Sequence, residues 1–316
     1  MTGYHDRQPC VVVCSVSQRP PAVMPENTPI QATGRTLETV DLNGSDAPAR
    51  FVASLRETGF GVLRNHPIPQ PAVDSIYKNW LDFFSSDEKN SYRFDPEKFD
   101  GFFPAQEAEA AKGRLVRDIK EYYHYYPWGR CPAGLKQELT DYYRVAGEFG
   151  ATLLSWIEEH SPVEVKANYS EPLPAMMTGS EQSLLRVLHY PPLSGNETPD
   201  AIRASAHEDI NLITILPAAN EPGLQVKARD GSWLEVPCDF GNLVVNIGDM
   251  LQEASGGYFP STSHRVVNPE GVDHNKSRVS IPLFLHPRPE VVLSERHTAG
   301  SYLQERLAEL RQVEEE

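Results

Sequence analysis

Two histidines and one aspartate in the second half of the chain have the residue types and the spacing of a metal site. His207, Glu208 and Asp209 stand at the head of an apolar run, residues 210–216, and His264 follows in a Ser-His-Arg-Val-Val segment. Two imidazoles and one carboxylate are the ligand set of a non-heme iron(II) centre. Such a centre keeps three octahedral positions open, which suits the binding of a cosubstrate and of dioxygen.

The alternation of side chains along a strand indicates which of the neighbouring carboxylates, Glu208 or Asp209, is the ligand. If residues 206–216 form one β-strand, His207 and Asp209 share a face and Glu208 points away, because side chains alternate along a strand. Asp209 is therefore the expected partner of the two histidines. The competing interpretation is a buried polar cluster without an ion, which would need all of its polar atoms to be hydrogen-bonded.

Composition bounds the class of protein. The chain has 316 residues, 40% of them hydrophobic, and a net charge of −15. An acidic surface repels phosphate backbones, so we expect no nucleic-acid partner. The four cysteines have no metal-site spacing and are expected to be reduced thiols; they are Cys10, Cys14, Cys131 and Cys238. No apolar run is long enough for a membrane span, so we expect a soluble, cytoplasmic protein. We also expect it to be a monomer and to act on a small molecule.

Three regions follow one another along the chain. Residues 1–36 lack any period and are expected to form an N-terminal arm, residues 37–160 are helix-rich, and residues 161–316 hold a β-rich core with a C-terminal helix. We expect the last two regions to form one integrated catalytic unit. Helices are predicted at 47–57, 71–84, 132–160 and 299–312 from apolar residues spaced three and four apart.

From residue 183 onward apolar residues recur at every second position, and turn-forming residues separate the apolar segments. Strands are predicted at 184–190, 206–216, 223–228, 232–236, 243–247, 262–267 and 278–284. Asp230-Gly231 predicts a tight hairpin between the third and fourth of these. Many short strands at this spacing predict a mixed, mainly β fold with a jelly-roll-like barrel.

A second hairpin is expected between residues 262–267 and 278–284. If its loop is symmetric about Gly271, then His264 faces Arg278 directly across the ladder. Side chains opposite each other on one face lie roughly 5 Å apart at Cβ, so a guanidinium would reach the metal cavity. The alternative is that Arg278 forms a structural ion pair.

As a set, the motifs resemble the iron(II)/2-oxoglutarate dioxygenase superfamily, and within it the isopenicillin N synthase-like family with its bacterial members. The resemblance spans about residues 36–310 and is carried by five segments, at 59–66, 188–192, 207–216, 263–266 and 278–284. It implies a double-stranded β-helix core in which His207, Asp209 and His264 hold Fe(II). It also implies that Arg278 and Ser280 bind a carboxylate, usually the distal one of 2-oxoglutarate, with Tyr190 assisting.

The implied reaction uses dioxygen to couple 2-oxoglutarate decarboxylation to hydroxylation, desaturation or cyclisation of a small-molecule substrate. Two alternatives stay open. One is an oxidase of the isopenicillin N synthase type, which uses no 2-oxoglutarate and in which Arg278 would hold the substrate's own carboxylate. The other is a non-catalytic metal-binding barrel.

An aromatic segment, residues 120–128, supplies candidate substrate contacts. Tyr122 and His124 belong to it, and Arg114 precedes it. The alternative is that the segment is a half-buried strand with one aromatic face turned inward, which is the ordinary role of strand tyrosines.

Overall fold

The computed structural model describes residues 37–107, 116–237, 239–271 and 275–315, with side chains described as far as residue 309. The predicted arm at 1–36 and the candidate contact Arg114 lie outside these residues, as do Cys10, Cys14 and Cys238. Within the described residues, Cys131 is a free thiol, and no helix is both long and apolar enough to cross a membrane.

The α-helices are α1 (Ala47–Thr58), α2 (Gln70–Ser85), α3 (Ala133–Glu159), α4 (Val163–Lys166), α5 (Leu173–Met176), α6 (Asp249–Ala254) and α7 (Ala299–Glu315). The strands are β1 (Thr39–Asp41), β2 (Phe60–Arg64), β3 (Gly101–Phe103), β4 (Glu121–Tyr125), β5 (Leu184–Tyr190), β6 (Ala204–His207), β7 (Ile213–Pro217), β8 (Leu224–Lys227), β9 (Trp233–Glu235), β10 (Asn242–Ile247), β11 (His264–Val266), β12 (Arg278–Ser280) and β13 (Leu283–Leu285). Two short 3₁₀ helices span Asp87–Tyr92 and Ala105–Glu107.

Two sheets form the core of the described residues. The large sheet has nine strands in the order β1-β2-β10-β7-β13-β5-β4-β3, with β12 beside β5, and the small sheet has the order β6-β11-β8-β9. Among these strands, β1 and β2 pair in parallel. Strands from the helix-rich N-terminal region, β1 to β4, thus extend the same sheet as strands from the second half of the chain.

Side chains of the large sheet alternate between two buried layers. Leu243 and Val245 pack with residues of α1, α2 and α3, whereas Val244, between them, faces residues of the small sheet such as Val226 and Val266. Both faces of the large sheet are therefore covered, and most residues of its strands are buried. Two facing sheets with a helical layer outside give the predicted mainly β, double-stranded β-helix (jelly-roll) core.

Most of the predicted elements are confirmed. The helices at 47–57, 71–84, 132–160 and 299–312 correspond to α1, α2, α3 and α7. Helix α1 ends at Thr58, and its C-cap is Gly59, whose φ of 75° is left-handed. The Asp230-Gly231 turn joins β8 to β9, which pair antiparallel with Val226 opposite Leu234.

The continuous strand predicted at 206–216 is wrong. Strand β6 ends at His207, residues 208–212 are irregular, and the chain then enters β7 in the other sheet. The backbone carbonyls of Asp209 and Asn211 accept hydrogen bonds from the N–H groups of Asp249 and Met250 rather than from a neighbouring strand. These contacts with α6 replace the ladder and let the chain change sheets.

The hairpin predicted between 262–267 and 278–284 is also wrong. Strand β11 pairs with β6 and β8, whereas β12 pairs with β5, so Arg278 lies opposite Tyr190 and not opposite His264. Residues 278–284 also form two strands, because Pro282 separates β12 from β13 and has no N–H to donate to a ladder.

Candidate active site

His207, Asp209 and His264 converge in the structure. His207 and His264 are paired residues on neighbouring strands of the small sheet, and their ring centres lie 4.4 Å apart. Asp209 Oδ1 lies 3.7 Å from His264 Nε2 and 4.0 Å from His207 Nε2. One possible ligand atom from each residue lies within 4.8 Å of the other two. Three donors this close together can all reach one ion.

Hydrogen bonds to the backbone fix which nitrogen of each histidine faces the others. His207 Nδ1 lies 2.7 Å from the Ser205 carbonyl oxygen, and His264 Nδ1 lies 3.2 Å from that of Thr262. A carbonyl oxygen can only accept, so both Nδ1 atoms carry the proton in the neutral imidazole. Both Nε2 atoms then present a lone pair toward Asp209, which is the arrangement that a metal-ligating histidine needs.

The Asp209 carboxylate is held by the opposite sheet. Its Oδ2 accepts hydrogen bonds from the Thr214 hydroxyl at 2.5 Å and the Asn246 amide at 2.8 Å, which leaves Oδ1 turned toward the histidines. Burial raises the pKa of this carboxyl group, but His264, His207 and the two hydrogen bonds together lower it below its ordinary value. Asp209 is therefore ionised at neutral pH.

The three groups differ in their exposure to solvent. The His207 side chain is 41% exposed, against 10% for His264 and 6% for Asp209. Desolvation by the surrounding protein, followed by the neighbouring His264, lowers the pKa of His207 below its ordinary value even though part of the side chain is exposed. Two neutral imidazoles and one carboxylate are the protonation states that bind a divalent cation. The donor set fits iron(II), for which imidazole and carboxylate in a two-to-one ratio are typical ligands.

Backbone contacts with α6 position Asp209. The Asp249 N–H donates to the Asp209 carbonyl at 2.7 Å. Gly248 precedes this helix and lies against Asn211 so closely that a Cβ atom would come within 2.2 Å of the Asn211 carbonyl oxygen. Asp209 thus faces the histidines from irregular backbone and not from a strand. Glu208 is exposed, so the choice of Asp209 agrees with the geometry although its strand argument fails.

Arg278, Ser280 and Tyr190 line a second part of the same inter-sheet space. All three are buried, and Tyr190 belongs to the cluster between the sheets. Arg278 Cζ lies 5.1 Å from the centre of the Tyr190 ring, and Arg278 Nε donates to the Glu221 carbonyl at 3.1 Å. Arg278 Nη1 is buried without a hydrogen-bond partner among the described residues. A cationic donor in this position is suited to an anionic acceptor.

The sequence analysis did not identify a second buried arginine, Arg203. Arg203 precedes β6 and is buried, and its Nη2 donates to the Lys276 carbonyl at 2.6 Å. Burial and then the charge of Arg278 lower the pKa of Arg203, so the two guanidinium groups lie near each other. The sequence could have indicated Arg203, because it lies four residues before His207 and directly before the strand that carries this histidine.

The aromatic segment forms strand β4, as its alternative interpretation predicted, but the strand is buried on both faces rather than half-buried. Tyr122 is buried in the cluster between the sheets. His124 has both ring nitrogens engaged: Nδ1 contacts the Phe99 carbonyl at 3.0 Å, and Nε2 accepts from Arg186 Nε at 2.8 Å. His124 is therefore held between the backbone of Phe99 and the side chain of Arg186.

Comparison with known proteins defines the class. Residues 181–287 match the family model of the 2OG-Fe(II) oxygenase superfamily, and residues 37–142 match that of the non-haem dioxygenase in morphine synthesis N-terminal region. A protein of known structure from Shewanella oneidensis is 62% identical, with a TM-score of 0.80 over 87% of this chain and 98% of that one. The chain belongs to the 2OG-Fe(II) oxygenase superfamily, whose enzymes use iron(II), 2-oxoglutarate and dioxygen.

More distant relatives carry the same enzyme class. A 2-oxoglutarate-dependent dioxygenase of Oryza sativa subsp. japonica is 29% identical over 75% of this chain, which spans 65% of that protein's length. A proline hydroxylase of Petromyces alliaceus is 29% identical over 78% of this chain and 85% of its own. The chain is accordingly an iron(II)- and 2-oxoglutarate-dependent oxidoreductase. The narrower likeness to the isopenicillin N synthase-like family and its bacterial members stays a prediction.

Proposed function

We propose that this protein couples the decarboxylation of 2-oxoglutarate to the oxidation of a C–H bond in a small molecule. In this proposal His207, Asp209 and His264 hold iron(II), and Arg278 binds the distal carboxylate of 2-oxoglutarate with the help of Ser280 and Tyr190. One observation carries it: three convergent metal-binding atoms and a buried guanidinium group share the space between the two sheets.

The protein's own part in the chemistry is to hold the reacting groups and to limit their contact with water. Bound iron(II) would supply the activation of dioxygen and the oxidising power for C–H cleavage. The Nδ1–H bonds of His207 and His264 keep both Nε2 atoms available as ligands. Thr214, by donating to Asp209 Oδ2, leaves Oδ1 free to turn toward the same point.

Arg278 has the properties that the distal carboxylate requires. Its guanidinium offers a forked set of donors that matches a carboxylate, and it stays charged at any physiological pH. Leaving a buried donor such as Nη1 without an acceptor costs roughly 1–3 kcal/mol. A bound carboxylate would remove that cost, and Ser280, two residues along the same strand, faces the same side.

A requirement for 2-oxoglutarate separates this proposal from an oxidase of the isopenicillin N synthase type. The rice relative is named for its dependence on 2-oxoglutarate, which supports the oxygenase. Hydroxylation, desaturation and cyclisation are all open to such a site, because they share the first C–H cleavage and differ only in the fate of the resulting radical.

Oxygen consumption and succinate formation by the iron-loaded protein test the proposal. We expect both to depend on added 2-oxoglutarate and to appear in equal amounts, even without a prime substrate, at a slow uncoupled rate. Oxygen consumption that 2-oxoglutarate does not alter would contradict the proposal and favour the oxidase. Absence of both activities, with no iron retained, would favour a non-catalytic barrel.

We extend the proposal to the protein's surroundings: a cytoplasmic monomer without a nucleic-acid or membrane partner. The net charge of −15 supports the lack of nucleic-acid binding. Light scattering after size-exclusion chromatography should give the mass of one chain, 35.3 kDa. A mass of two chains would contradict the monomer.

A further inference from the structure

Strand β12, which carries Arg278, has a neighbouring strand on one edge. Among the described strands it pairs with β5, whereas β13, the next strand along the chain, pairs with both β5 and β7. Strand β7 ends at Pro217, and no further strand among the described residues covers the second edge of β12. Because β12 is buried, the N–H and C=O groups on that edge need another partner.

The side chain of Asn220 provides that partner. Its Nδ2 donates to the Ser277 carbonyl oxygen at 3.1 Å, and its Oδ1 accepts from the Val279 N–H at 2.9 Å. A residue in a neighbouring antiparallel strand exchanges one N–H and one C=O bond with its partner in the same way. The carboxamide of Asn220 therefore acts as one residue of the missing strand.

The two backbone groups that Asn220 binds lie on either side of Arg278. One belongs to the peptide unit before this residue and the other to the peptide unit after it, so the backbone of Arg278 is held between Asn220 and Tyr190 of β5. The residue after Asn220 holds the side chain, because Arg278 Nε donates to the Glu221 carbonyl oxygen at 3.1 Å. Two consecutive residues thus fix both the backbone and the guanidinium of Arg278.

The segment that carries Asn220 is itself anchored to the core. The Ala218 N–H donates to the Asn242 carbonyl oxygen at 2.9 Å, and the hydroxyl of the buried Tyr77 donates to the Ala218 carbonyl oxygen at 3.1 Å. Asn220 is therefore two residues from a point that both β10 and α2 hold. Support of this kind keeps a binding group in one orientation.

The orientation of Arg278 matters because this residue is a buried cation with a donor to fill. Its exposed fraction is 3%, and Nη1 has no hydrogen-bond partner in the part of the chain that the structure describes. With Nε bound to the Glu221 carbonyl, the direction of Nη1 is set. Hydrogen bonds to a carboxylate weaken when the donor is misaligned, so a displacement of the guanidinium would weaken them.

Building on the proposed function, we propose that Asn220 is a positioning residue for the binding of 2-oxoglutarate. By acting as a strand residue beside β12, it holds Arg278 in the orientation that binds the distal carboxylate. The role concerns that carboxylate alone, since the hydrogen bonds of Asn220 do not involve the candidate metal ligands.

Two probes of similar size separate this role from a general structural one. 2-Oxoglutarate has the distal carboxylate, whereas 2-oxopentanoate has a methyl group in its place and keeps the 2-oxo acid end that can chelate iron(II). The iron(II)-loaded protein is titrated anaerobically with each, and visible absorption gives the affinities. Asn220→Ala should weaken the binding of 2-oxoglutarate about tenfold, the size of one lost hydrogen bond, with iron content and 2-oxopentanoate affinity within about twofold of the wild type. Equal losses for both probes, or no loss for either, would overturn the proposal.

Asn275→Ala is the matched control. Asn275 makes the same pair of hydrogen bonds with another backbone segment, since it donates to the Leu193 carbonyl oxygen at 2.8 Å and accepts from the Leu193 N–H at 2.6 Å. Its removal breaks two bonds of the same kind but leaves the peptide units beside Arg278 bonded, so the affinity for 2-oxoglutarate should stay within about twofold of the wild type. A loss as large as that in Asn220→Ala would show that the effect is not specific to Asn220 and would overturn the proposal.

Asn220→Ser is a second variant for the case that the alanine variant does not fold. A serine hydroxyl is shorter than the carboxamide and can bond one of the two backbone groups at most. We expect a smaller loss of 2-oxoglutarate affinity, again without a loss for 2-oxopentanoate. Unaltered affinity for 2-oxoglutarate in this variant would count against the proposal.

A double variant shows whether Asn220 acts through Arg278. Arg278→Gln alone should lose affinity for 2-oxoglutarate, and the addition of Asn220→Ala should then cause less than about a twofold further loss, because the effects of coupled residues do not add. A further loss of the full size seen in the single variant would mean that Asn220 acts independently, and would overturn the proposal.

The same titrations distinguish failure of this assignment from failure of the proposed function. A wild-type protein that binds 2-oxoglutarate no more tightly than 2-oxopentanoate would overturn the proposed function, and this assignment with it. Wild-type discrimination between the two probes in Asn220→Ala, together with its loss in Arg278→Gln, would count against Asn220 alone.

Discussion

Arg278 and Tyr190 lie directly opposite each other on β12 and β5, and the guanidinium carbon of Arg278 lies 5.1 Å from the centre of the Tyr190 ring. This pairing places the candidate carboxylate-binding group on the large sheet, whereas His207 and His264 belong to the small one. Asp209 links the two, because its chain segment leaves the small sheet while its Oδ2 is bound to Thr214 and Asn246 of the large sheet. The site thus depends on how the sheets face each other.

Arg278→Gln should weaken the binding of 2-oxoglutarate without loss of iron. The substitution keeps polarity but removes the charge and the fork, at a cost of roughly 2–5 kcal/mol, or tens to thousands-fold in affinity. Steady-state kinetics should show this as a higher KM for 2-oxoglutarate. Arg144→Gln is the control and should change nothing, since Arg144 is an exposed arginine of α3 paired with Glu148. A KM that rises only for the prime substrate would assign Arg278 to that molecule, and unaltered constants for both would make Arg278 structural.

The three variants His207→Ala, Asp209→Ala and His264→Ala should each lose iron and activity and keep the fold. Two remaining ligands hold a divalent ion poorly, whereas the hydrophobic clusters that stabilise the fold are made of other residues. Asp209→Ala should also cost roughly 1–3 kcal/mol in unfolding free energy, since it leaves the donors of Thr214 and Asn246 without their acceptor. Iron content and circular dichroism check all three.

Glu208→Gln is the matched control for this series. Glu208 is exposed and should be replaceable without loss of iron. If Glu208→Gln lost iron while Asp209→Asn kept it, the ligand assignment would be wrong by one position.

Thr214→Val should lower iron affinity about 10- to 100-fold, the usual effect of removing a group that orients a metal ligand. Valine has nearly the same shape as threonine but cannot donate to Asp209 Oδ2. Competition with a metal chelator measures the change. Thr152→Val, at an exposed threonine of α3, should leave the affinity unaltered, and an equal loss there would remove the specific role of Thr214.

His286 should make the metal-free protein less stable in mild acid. Burial lowers its pKa from 6.5 to about 4 in the folded state, so the unfolded chain takes up a proton first as the pH falls. Its contribution to stability is complete above about pH 6.5 and is lost between about pH 6.5 and 4, at up to about 1.4 kcal/mol per pH unit. Urea denaturation of wild type and His286→Gln should show a shallower pH dependence in the variant; identical slopes would refute this role.

The sequence predicted the elements whose signals are local. The apolar stripe of α3 and the turn residues of the β8–β9 hairpin specify structure within a few residues. Asp209 was chosen on the assumption of a continuous strand, and the structure places it on irregular backbone beside the histidines instead.

The pairing of distant strands was not predictable in the same way. Nothing local to residues 262–284 says that β11 returns to β6 while β12 joins β5, because both choices bury similar apolar residues. The chain's exit from the small sheet after His207 depends on hydrogen bonds from Asp249 and Met250, about forty residues away in sequence. Contacts of this range are set by tertiary packing, which overrides local strand preference.

The most direct test of the central claim is an anaerobic titration of the metal-free protein with iron(II) in the presence of 2-oxoglutarate, followed by visible absorption. Chelation of iron by 2-oxoglutarate at the site formed by His207, Asp209 and His264 predicts a broad charge-transfer band that saturates at one iron per chain. The band should be absent from His264→Ala. Iron binding in the wild type without the band, or an equal band in His264→Ala, would contradict the account.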